Sequence, residues 1–320
     1  MVSDMPQPSV GVVTVNWNGL DDTVRCVESI LASVGVSAIP IVVDNGSTDD
    51  SACRLTQRFP QLELIANARN DGFARGTNIG LRHAQDLGVE FVVLLNNDAY
   101  IEPGALAAMV DVIEANRADL VSGLILERRD PDVVSYAGGR IGRLRGRAVV
   151  PAEHMPLREV DVEGGRTEFV TCAFLGMRTC TLDQIGLLPE DYFFGTEEWD
   201  FALRALRARL RLWMEPSAVC VHAGAKSHPT TSARWMYSSF RNKLIFQNRY
   251  LPAGAWPIWR LAFSIYVRTV MPRLRRGLHA HPEAARHLAI AGRAALRDHF
   301  PGRRIELRDL DRIEREATSS

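Results

Sequence analysis

The sequence of 320 residues contains almost no lysine, because Lys226 and Lys243 are outnumbered by 36 arginines. It also lacks any run of about 18 uncharged apolar residues, the length that a membrane-spanning helix requires. Its first residues, MVSDMPQPSV, show no basic segment followed by an apolar one, so no signal peptide is predicted. We therefore expect a cytoplasmic protein whose anion contacts are made by guanidinium groups.

Cysteine is scarce and shows no CxxC spacing, which argues against a disulfide framework and a thiol-ligated metal. The five cysteines are Cys26, Cys53, Cys172, Cys180 and Cys220. Their apolar sequence contexts predict buried free thiols in a reducing compartment.

Disorder and low complexity are excluded by a composition of 46% hydrophobic and 24% charged residues. The formal net charge is zero, but the charges are unevenly distributed. From residue 251 onwards 13 arginines stand against seven acids, so this part carries six excess positive charges and the first 250 residues carry six negative ones. This polarity bears on the choice of partners.

The first 122 residues alternate between short apolar segments and amphipathic ones. Strands are predicted at 10–15, 39–43, 62–66 and 90–95, and helices at 21–31, 49–59, 72–87 and 103–116. Such alternation predicts an α/β fold with a mostly parallel sheet that helices cover on both faces. Asp21 or Asp22 is expected to cap the first helix.

The remainder of the chain is less regular. Residues 123–168 are rich in Gly, Arg and Pro and predict loops and hairpins. Further elements are predicted as a strand at 169–177, a helix at 197–208, strands at 211–214 and 218–222, and helices from about residue 230.

Three predicted strands end in polar clusters: Asn16 with Asn18, Asp44-Asn45, and Asn96-Asn97-Asp98. Each cluster alone is typical of an ordinary turn. Three of them at one edge of a sheet favour a ligand site, because ligands of open α/β sheets bind at the carboxyl ends of the strands. One carboxylate with amide neighbours also suits Mg²⁺ or Mn²⁺, which prefer oxygen ligands.

Four segments occur in a fixed order: VVTVNWNG, IVVDNGSTDDS, ARNDGFARGTNIGLRHA and LLNNDAYIEPGAL. Together with the later FLGMR and FFGTEEWDFALRA they resemble family 2 glycosyltransferases, which have the GT-A fold, and most closely the rhamnosyltransferase-like branch. The resemblance covers roughly residues 10–250. It implies a GT-A domain over residues 1–250, with nucleotide-sugar binding at about 10–122 and the acceptor side at about 123–250. A helical, basic extension is predicted for residues 251–320.

The resemblance also implies roles for individual residues at the donor site. The residues implied to contact the donor are Thr14, Val15 and Asn16 at the base, Asp44 at the base or ribose, Asp71, Arg75 and Asn78 near the nucleotide, and Asn96 and Asn97 at the strand end. Asp98 matches the carboxylate that holds a divalent metal, Mn²⁺ or Mg²⁺. The first Asp of the family's Asp-x-Asp motif is Asn96 here. His222 is implied to face the metal or diphosphate, with a hydrogen-bonded structural role as the alternative.

The family's Glu-Asp catalytic pair aligns with Glu197-Glu198. The resemblance implies Glu198 as the general base, with Glu197 as the second choice, while complementing the helix dipole is the structural alternative. Asp200 is spaced to form an ion pair with Arg204 on the same helix. Lys226, Arg241 and Asn242 are candidate contacts for the diphosphate or acceptor, against a purely structural use, whereas His83 and His228 are predicted to be structural.

The resemblance therefore implies an inverting glycosyltransferase that uses a nucleoside-diphosphate sugar, such as dTDP-rhamnose or a UDP-sugar. The expected acceptor is a cell-surface glycan or its polyprenyl-linked precursor, and no nucleic-acid partner is predicted. Residues 255–278 mix aromatic side chains with arginines, which predicts either contact with the inner membrane face or packing on the catalytic domain or a second subunit. A sugar nucleotidyltransferase and a non-catalytic binding protein remain as rival functions.

Overall fold

The computed structural model describes residues 7–142, 147–224, 232–270, 282–299 and 302–318. Its strands are β1 (Ser9–Asn16), β2 (Ser37–Asp44), β3 (Glu63–Ala66), β4 (Phe91–Leu95), β5 (Ala99–Ile101), β6 (Leu120–Glu127), β7 (Asp130–Tyr136), β8 (Arg140–Gly142), β9 (Arg147–Val149), β10 (Gly165–Arg166), β11 (Phe174–Arg178) and β12 (Leu212–His222). Its α-helices are α1 (Leu20–Leu31), α2 (Ser51–Arg58), α3 (Phe73–Asp86), α4 (Ala105–Glu114), α5 (Thr181–Ile185), α6 (Glu197–Arg207), α7 (Ala233–Tyr250), α8 (Ala255–Ile265), α9 (Pro282–Asp298) and α10 (Leu307–Thr318). A single 3₁₀ turn covers Leu157–Glu159, and π-helical residues Tyr266–Val270 continue α8.

The main sheet has the strand order β10-β12-β6-β11-β4-β1-β2-β3, with β5 paired to β12 and β7 to β6. Strands β1 to β4 are parallel, and β11 is inserted antiparallel between β4 and β6. Strand β4 is buried throughout, β1 is mostly buried, and the last five residues of β2 are buried, as expected for a sheet covered on both faces. The predicted α/β fold with a mostly parallel sheet is confirmed.

Several boundaries differ from the prediction for identifiable reasons. The strands predicted at 211–214 and 218–222 form one strand, β12, because an irregularity between Glu215 and Val219 lets pairing with β6 resume. The strand predicted from residue 169 begins only at Phe174. Helix α1 is capped by Gly19 and not by a side chain, so Asp21 and Asp22 lie in its first turn instead.

The chain divides into two compact units. The first comprises the chain up to Ile141 with Ala148–Leu188 and Glu198–Gly224, and the second comprises Gly142–Arg147, Pro189–Glu197 and Ala225–Ser320. The second unit starts earlier than the predicted boundary at residue 250, because α7 shares an apolar core with α9 and α10. Helix α7 thereby belongs with the C-terminal helices.

One correction concerns the cysteines. All five cysteines are free as predicted, but Cys53 and Cys180 are exposed and only the other three are buried. The segment 255–278, predicted either to contact a membrane or to pack on the catalytic domain or a second subunit, is described only as far as residue 270. No helix in the described ranges is both long and apolar enough to cross a bilayer.

Candidate active site

The polar clusters that follow β1, β2 and β4 lie at one edge of the sheet. These strands run parallel, and the register pairs Asn16 with Asp44 at the ends of β1 and β2. Asn96 follows β4, and its backbone N–H donates to the carbonyl oxygen of Ala173, just before β11 begins. Since β11 is antiparallel, its start lies at the same edge as the ends of the other strands. The structure therefore brings together the groups that the sequence suggested for a ligand site.

Asp44 is held in one orientation by its neighbours. Its Oδ2 accepts from Asn16 Nδ2 and from Ser47 Oγ, both at 2.7 Å, and its Oδ1 accepts from the Ser47 backbone N–H at 3.0 Å. Asn16 is fully buried, and its Oδ1 accepts from Thr23 Oγ1 at 2.8 Å. These bonds engage both ends of the Asn16 amide within the protein, so Asn16 positions Asp44. For Asp44 the contact with the base or ribose stays a prediction.

Thr23 of α1 joins the ends of β1 and β4. Its Oγ1 accepts from Asn97 Nδ2 at 3.1 Å while it bonds Asn16 on the other side. Thr14 is buried, and Val15 is half-buried near the end of β1. Asn97 therefore acts through Thr23 to fix the strand ends.

Asp71 lies in a loop that is organised by buried Asn45. The Asn45 amide donates to Asn70 Oδ1 and to the Gly72 carbonyl, each at 3.1 Å. Asp71 pairs with Arg69 at 2.8 Å and with Arg75 at 3.5 Å. The Arg75 side chain is still 39% exposed and can meet an anion. The loop thus carries a cation–carboxylate cluster near the strand ends.

Asn78 has a structural role, in contrast to the predicted donor contact. It is buried in α3, its Nδ2 donates to the Leu188 carbonyl, and its Oδ1 accepts from the Leu188 backbone N–H, both at 2.9 Å. These bonds use the amide to hold the segment after α5 against α3. Both ends of the Asn78 amide are therefore engaged within the protein.

Asp98 and His222 meet although they are far apart in sequence. Strand β5 pairs antiparallel with β12 so that Ala99 lies opposite His222, and this register sets His222 Nε2 at 2.9 Å from Asp98 Oδ1. Asn96 Nδ2 lies 3.1 Å from the same ring nitrogen. One side-chain carboxylate, one imidazole and one amide thus converge at the end of β4, and both Asp98 and His222 are partly exposed.

This group fits a divalent cation. Rotating the Asn96 amide by half a turn presents Oδ1 in place of Nδ2, which makes Asn96 a third candidate ligand beside Asp98 and His222. Asp98 Oδ1 and His222 Nε2, which lie 2.9 Å apart, are the two groups that would hold the ion. Within the described residues no three His, Cys, Asp or Glu side chains gather in one cluster, so a metal here would also need oxygens from a ligand. Mg²⁺ and Mn²⁺ sites commonly use substrate phosphates in this way.

Glu198, in the first turn of α6, is held in place by two hydrogen bonds. Its Oε2 accepts from Thr171 Oγ1 at 2.8 Å and from the Cys172 backbone N–H at 3.0 Å. Burial raises the pKa of the Glu198 carboxyl above its usual value, while these two hydrogen bonds and the charge of His222 act against that rise. The segment that holds Glu198 is the one whose Ala173 carbonyl bonds Asn96, which connects the carboxylate to the Asp98 loop.

Two further acids of α6 differ in environment. Glu197 is buried, with 4% of its surface exposed. Asp200 Oδ1 forms an ion pair with Arg204 Nε at 3.0 Å, which confirms the predicted helical pair. Arg204 also donates to the Leu187 carbonyl at 2.8 Å. Arg204 therefore anchors α6 to the preceding segment, and Asp200 pairs with Arg204.

Arg241 and Asn242 of α7 are buried and make internal contacts. The Arg241 guanidinium donates to the backbone carbonyls of Asp191, Asp298 and Arg303, so it is not presented to a ligand. Asn242 Nδ2 donates to the carbonyls of Phe194 and Gly195 at 2.8 and 2.6 Å. We assign both residues to the support of the second unit. Lys226 and His228 lie outside the described residues.

The loop bonded by Asn242 has an unusual backbone. Thr196, the residue before α6, has a φ of +82°, a left-handed conformation that is unfavourable for a β-branched residue. Gly195, at +79°, meets the same requirement without a Cβ. The bonds from Asn242 to this loop stabilise the strained entry into the helix that carries Glu197 and Glu198.

Two residues that lie at this edge of the sheet, Thr171 and Arg128, were not identified from the sequence. Thr171 holds the candidate base, and the only available signal was its position near the beginning of the strand predicted at 169–177. Arg128 follows β6, forms an ion pair with Asp22 at 2.5 Å and bonds the His222 carbonyl through its backbone N–H at 2.8 Å. Its position directly after a strand end was the corresponding signal.

Known proteins resemble this chain in sequence and in fold. The profile of the family described as "Glycosyl transferase family 2" matches residues 9–178, more than half of the chain. The low-salt glycan biosynthesis hexosyltransferase Agl10 of Haloferax volcanii is 22% identical over 291 residues, which cover 84% of this chain and 90% of the relative. An N-acetylglucosaminyl-diphospho-decaprenol L-rhamnosyltransferase of Mycobacterium tuberculosis is 26% identical over 293 residues, which cover 83% of this chain and 94% of the relative.

The fold is shared with solved GT-A glycosyltransferases. The crystal structure of GalNAc-T7 with UDP, GalNAc and Mn²⁺ superposes with a TM-score of 0.56 at 15% identity and covers 87% of this chain. This chain spans 59% of the GalNAc-T7 chain, so this likeness supports the fold alone. The predicted family and GT-A fold are both confirmed. The chain belongs to glycosyl transferase family 2, is a glycosyltransferase, and is similar to the family's rhamnosyltransferases.

Proposed function

We propose that this protein transfers a sugar, with inversion, from a nucleoside-diphosphate sugar to a hydroxyl of a lipid-linked or cell-surface glycan. The observation that carries the proposal is the meeting of Asp98 and His222, 2.9 Å apart, at the edge where Thr171 and Cys172 hold Glu198. Asp98 and His222 could hold a divalent cation that would neutralise a diphosphate, and Glu198 could accept a proton. Both are needed for glycosyl transfer from a nucleotide sugar.

In the proposed reaction Glu198 takes the proton of the acceptor hydroxyl while the oxygen of that hydroxyl attacks the anomeric carbon of the donor sugar. The new C–O bond forms while the bond from that carbon to the diphosphate breaks, and the nucleoside diphosphate leaves with the bonding electron pair. Asp98 and His222, with Asn96, would hold a Mn²⁺ or Mg²⁺ ion, which would supply positive charge to the leaving diphosphate. Arg75 is a further cation at the same edge.

The donor and acceptor classes follow from the relatives. The mycobacterial relative is named for transfer of L-rhamnose to a diphospho-decaprenol glycan, and it aligns with 83% of this chain. We therefore propose dTDP-rhamnose first and UDP-hexoses second as donors, and a polyprenyl-diphosphate glycan as the acceptor. The haloarchaeal hexosyltransferase supports a hexose-type donor in general.

A thermal-shift screen tests the proposal. Ligands that bind only the native state raise its apparent stability, so the cognate nucleoside-diphosphate sugar at about 100 times its Kd should stabilise the fold by about 2.7 kcal/mol. We expect this stabilisation to appear as a rise in Tm when donor and Mn²⁺ are present, and as a smaller rise in Tm when EDTA replaces Mn²⁺. A rise with nucleoside triphosphates plus sugar 1-phosphates, and none with nucleoside-diphosphate sugars, would identify a nucleotidyltransferase instead.

The pH dependence of transfer provides a test of the base. Glu198 must be ionised to accept a proton, so kcat/KM should fall as the pH drops through its raised pKa. The Thr171 hydroxyl favours the ionised form, so Thr171→Val should raise that pKa further and move the acid limb to higher pH. Thr171→Ser keeps the hydroxyl and is expected to retain the original profile. An unmoved acid limb in Thr171→Val would remove Glu198 from the role of base.

A further inference from the structure

Helix α8 is apolar on two faces, and one of them is used for packing. Trp256, Trp259, Phe263 and Val267 recur at helical spacing and pack into the core that α7, α9 and α10 form. The rings of Trp259 and Phe263 stack with centroids 4.9 Å apart. A surface helix of a water-soluble domain requires only one such face. The inward face thus explains how α8 is anchored, but it does not explain why the outward face of α8 also carries apolar side chains.

The outward face of α8 is also apolar. Ile258, Leu261 and Ile265, spaced as i, i+3 and i+7, are 72%, 63% and 52% exposed, and Tyr266 follows at 41%. Of the eight large apolar side chains that are exposed in the described part of the chain, four lie within these nine residues. We call Ile258, Leu261, Ile265 and Tyr266 the outer stripe. Such a concentration marks a surface that is covered in use.

The charged side chains of the helical segment that carries the outer stripe have one sign. Arg260 and Arg268 are exposed on the same helical segment. In the sequence, the 67 residues from Pro216 to Pro282 contain eight arginines, two lysines and no aspartate or glutamate. An apolar stripe with arginines and without acids complements a partner that is apolar inside and anionic at its surface.

We propose that the outer stripe of α8 lies in the interface of a bilayer that contains anionic lipids. The apolar side chains would enter the acyl boundary, and Arg260 and Arg268 would meet the lipid phosphates. A second copy of the chain fits less well, because a two-fold contact through this helix would bring arginines against arginines with no acid between them. The proposal does not depend on glycosyl transfer.

Flotation with lipid vesicles tests the proposal on the full chain without donor. We expect binding to phosphatidylcholine vesicles that contain phosphatidylglycerol and much weaker binding to phosphatidylcholine alone. The triple variant Ile258→Ser, Leu261→Ser, Ile265→Ser should lose at least about tenfold in partitioning. Replacing Arg260 or Arg268 by Gln should cost about fivefold each, and added salt should weaken the binding.

A matched control replaces exposed apolar residues elsewhere: Val34→Ser, Leu87→Ser, Met155→Ser. This variant should bind vesicles as the parent does, and circular dichroism should show that both triple variants are folded. The proposal is overturned if the parent fails to float with anionic vesicles at low salt, or if both triple variants bind equally. It is also overturned if sedimentation shows a dimer that only the α8 variant dissociates.

Discussion

Glu198→Gln should lose about 10²–10⁴-fold in kcat while it keeps its affinity for the nucleotide sugar. The amide oxygen of Gln can still accept from Thr171 Oγ1 and the Cys172 N–H, so the geometry of α6 is retained. What is lost is the lone pair basic enough to take the acceptor proton. Single-turnover transfer and calorimetric donor affinity, measured on the same preparation, separate these two effects.

Glu197→Gln is the matched comparison, because it makes the same chemical change one residue earlier. We expect much smaller losses of transfer in this variant than in Glu198→Gln. Full turnover by Glu198→Gln together with an inactive but folded Glu197→Gln would assign the base to Glu197. A donor affinity that falls in Glu198→Gln would show that Glu198 contacts the donor instead.

Asp98→Ala should abolish the part of donor affinity that depends on Mn²⁺ and should lower turnover by about 10³-fold or more. Neutralising a leaving diphosphate is worth several kcal/mol of transition-state stabilisation, and Asp98 is the carboxylate of the proposed site. Calorimetric titration of the donor with Mn²⁺ and with EDTA measures this directly. The two titrations should coincide in Asp98→Ala and differ in the parent.

The control for this change is Asp86→Ala, which removes an exposed carboxylate at the end of α3. This variant should retain both the difference between the two titrations and the turnover of the parent. If Asp98→Ala keeps its Mn²⁺-dependent affinity, Asp98 is not the metal ligand. Loss of affinity in EDTA as well would assign Asp98 to donor binding without metal.

The sequence predicts the strand ends of this fold well and its long-range contacts poorly. Asn16, Asp44 and Asp98 follow continuous apolar runs, which is a local signal, and the parallel order of the strands brings them together. The contact of Asp98 with His222 depends on the register of β5 against β12, which the local sequence does not reveal. The resemblance implies that His222 faces the metal or diphosphate, and the register of β5 against β12 explains how His222 comes to lie beside Asp98.

Burial is the other property that local sequence did not reveal. The resemblance implies Asn78 near the nucleotide, and Arg241 is a candidate contact for the diphosphate or acceptor, yet both are almost fully buried and bond backbone carbonyls. A polar side chain deep in a fold is satisfied by backbone groups more often than by ligands. Thr171 shows the reverse case, since a residue with no conspicuous motif holds the candidate base.

The antiparallel insertion of β11 has a consequence for synthesis of the chain on the ribosome. Strand β4 can pair with β1 as soon as both have emerged, but its other edge stays open until residues 174–178 have been made. An open edge of buried apolar residues is a template for pairing with other chains. Chains that terminate before β11 should therefore aggregate during expression, and those that end between β11 and β12 should close that edge without acquiring His222.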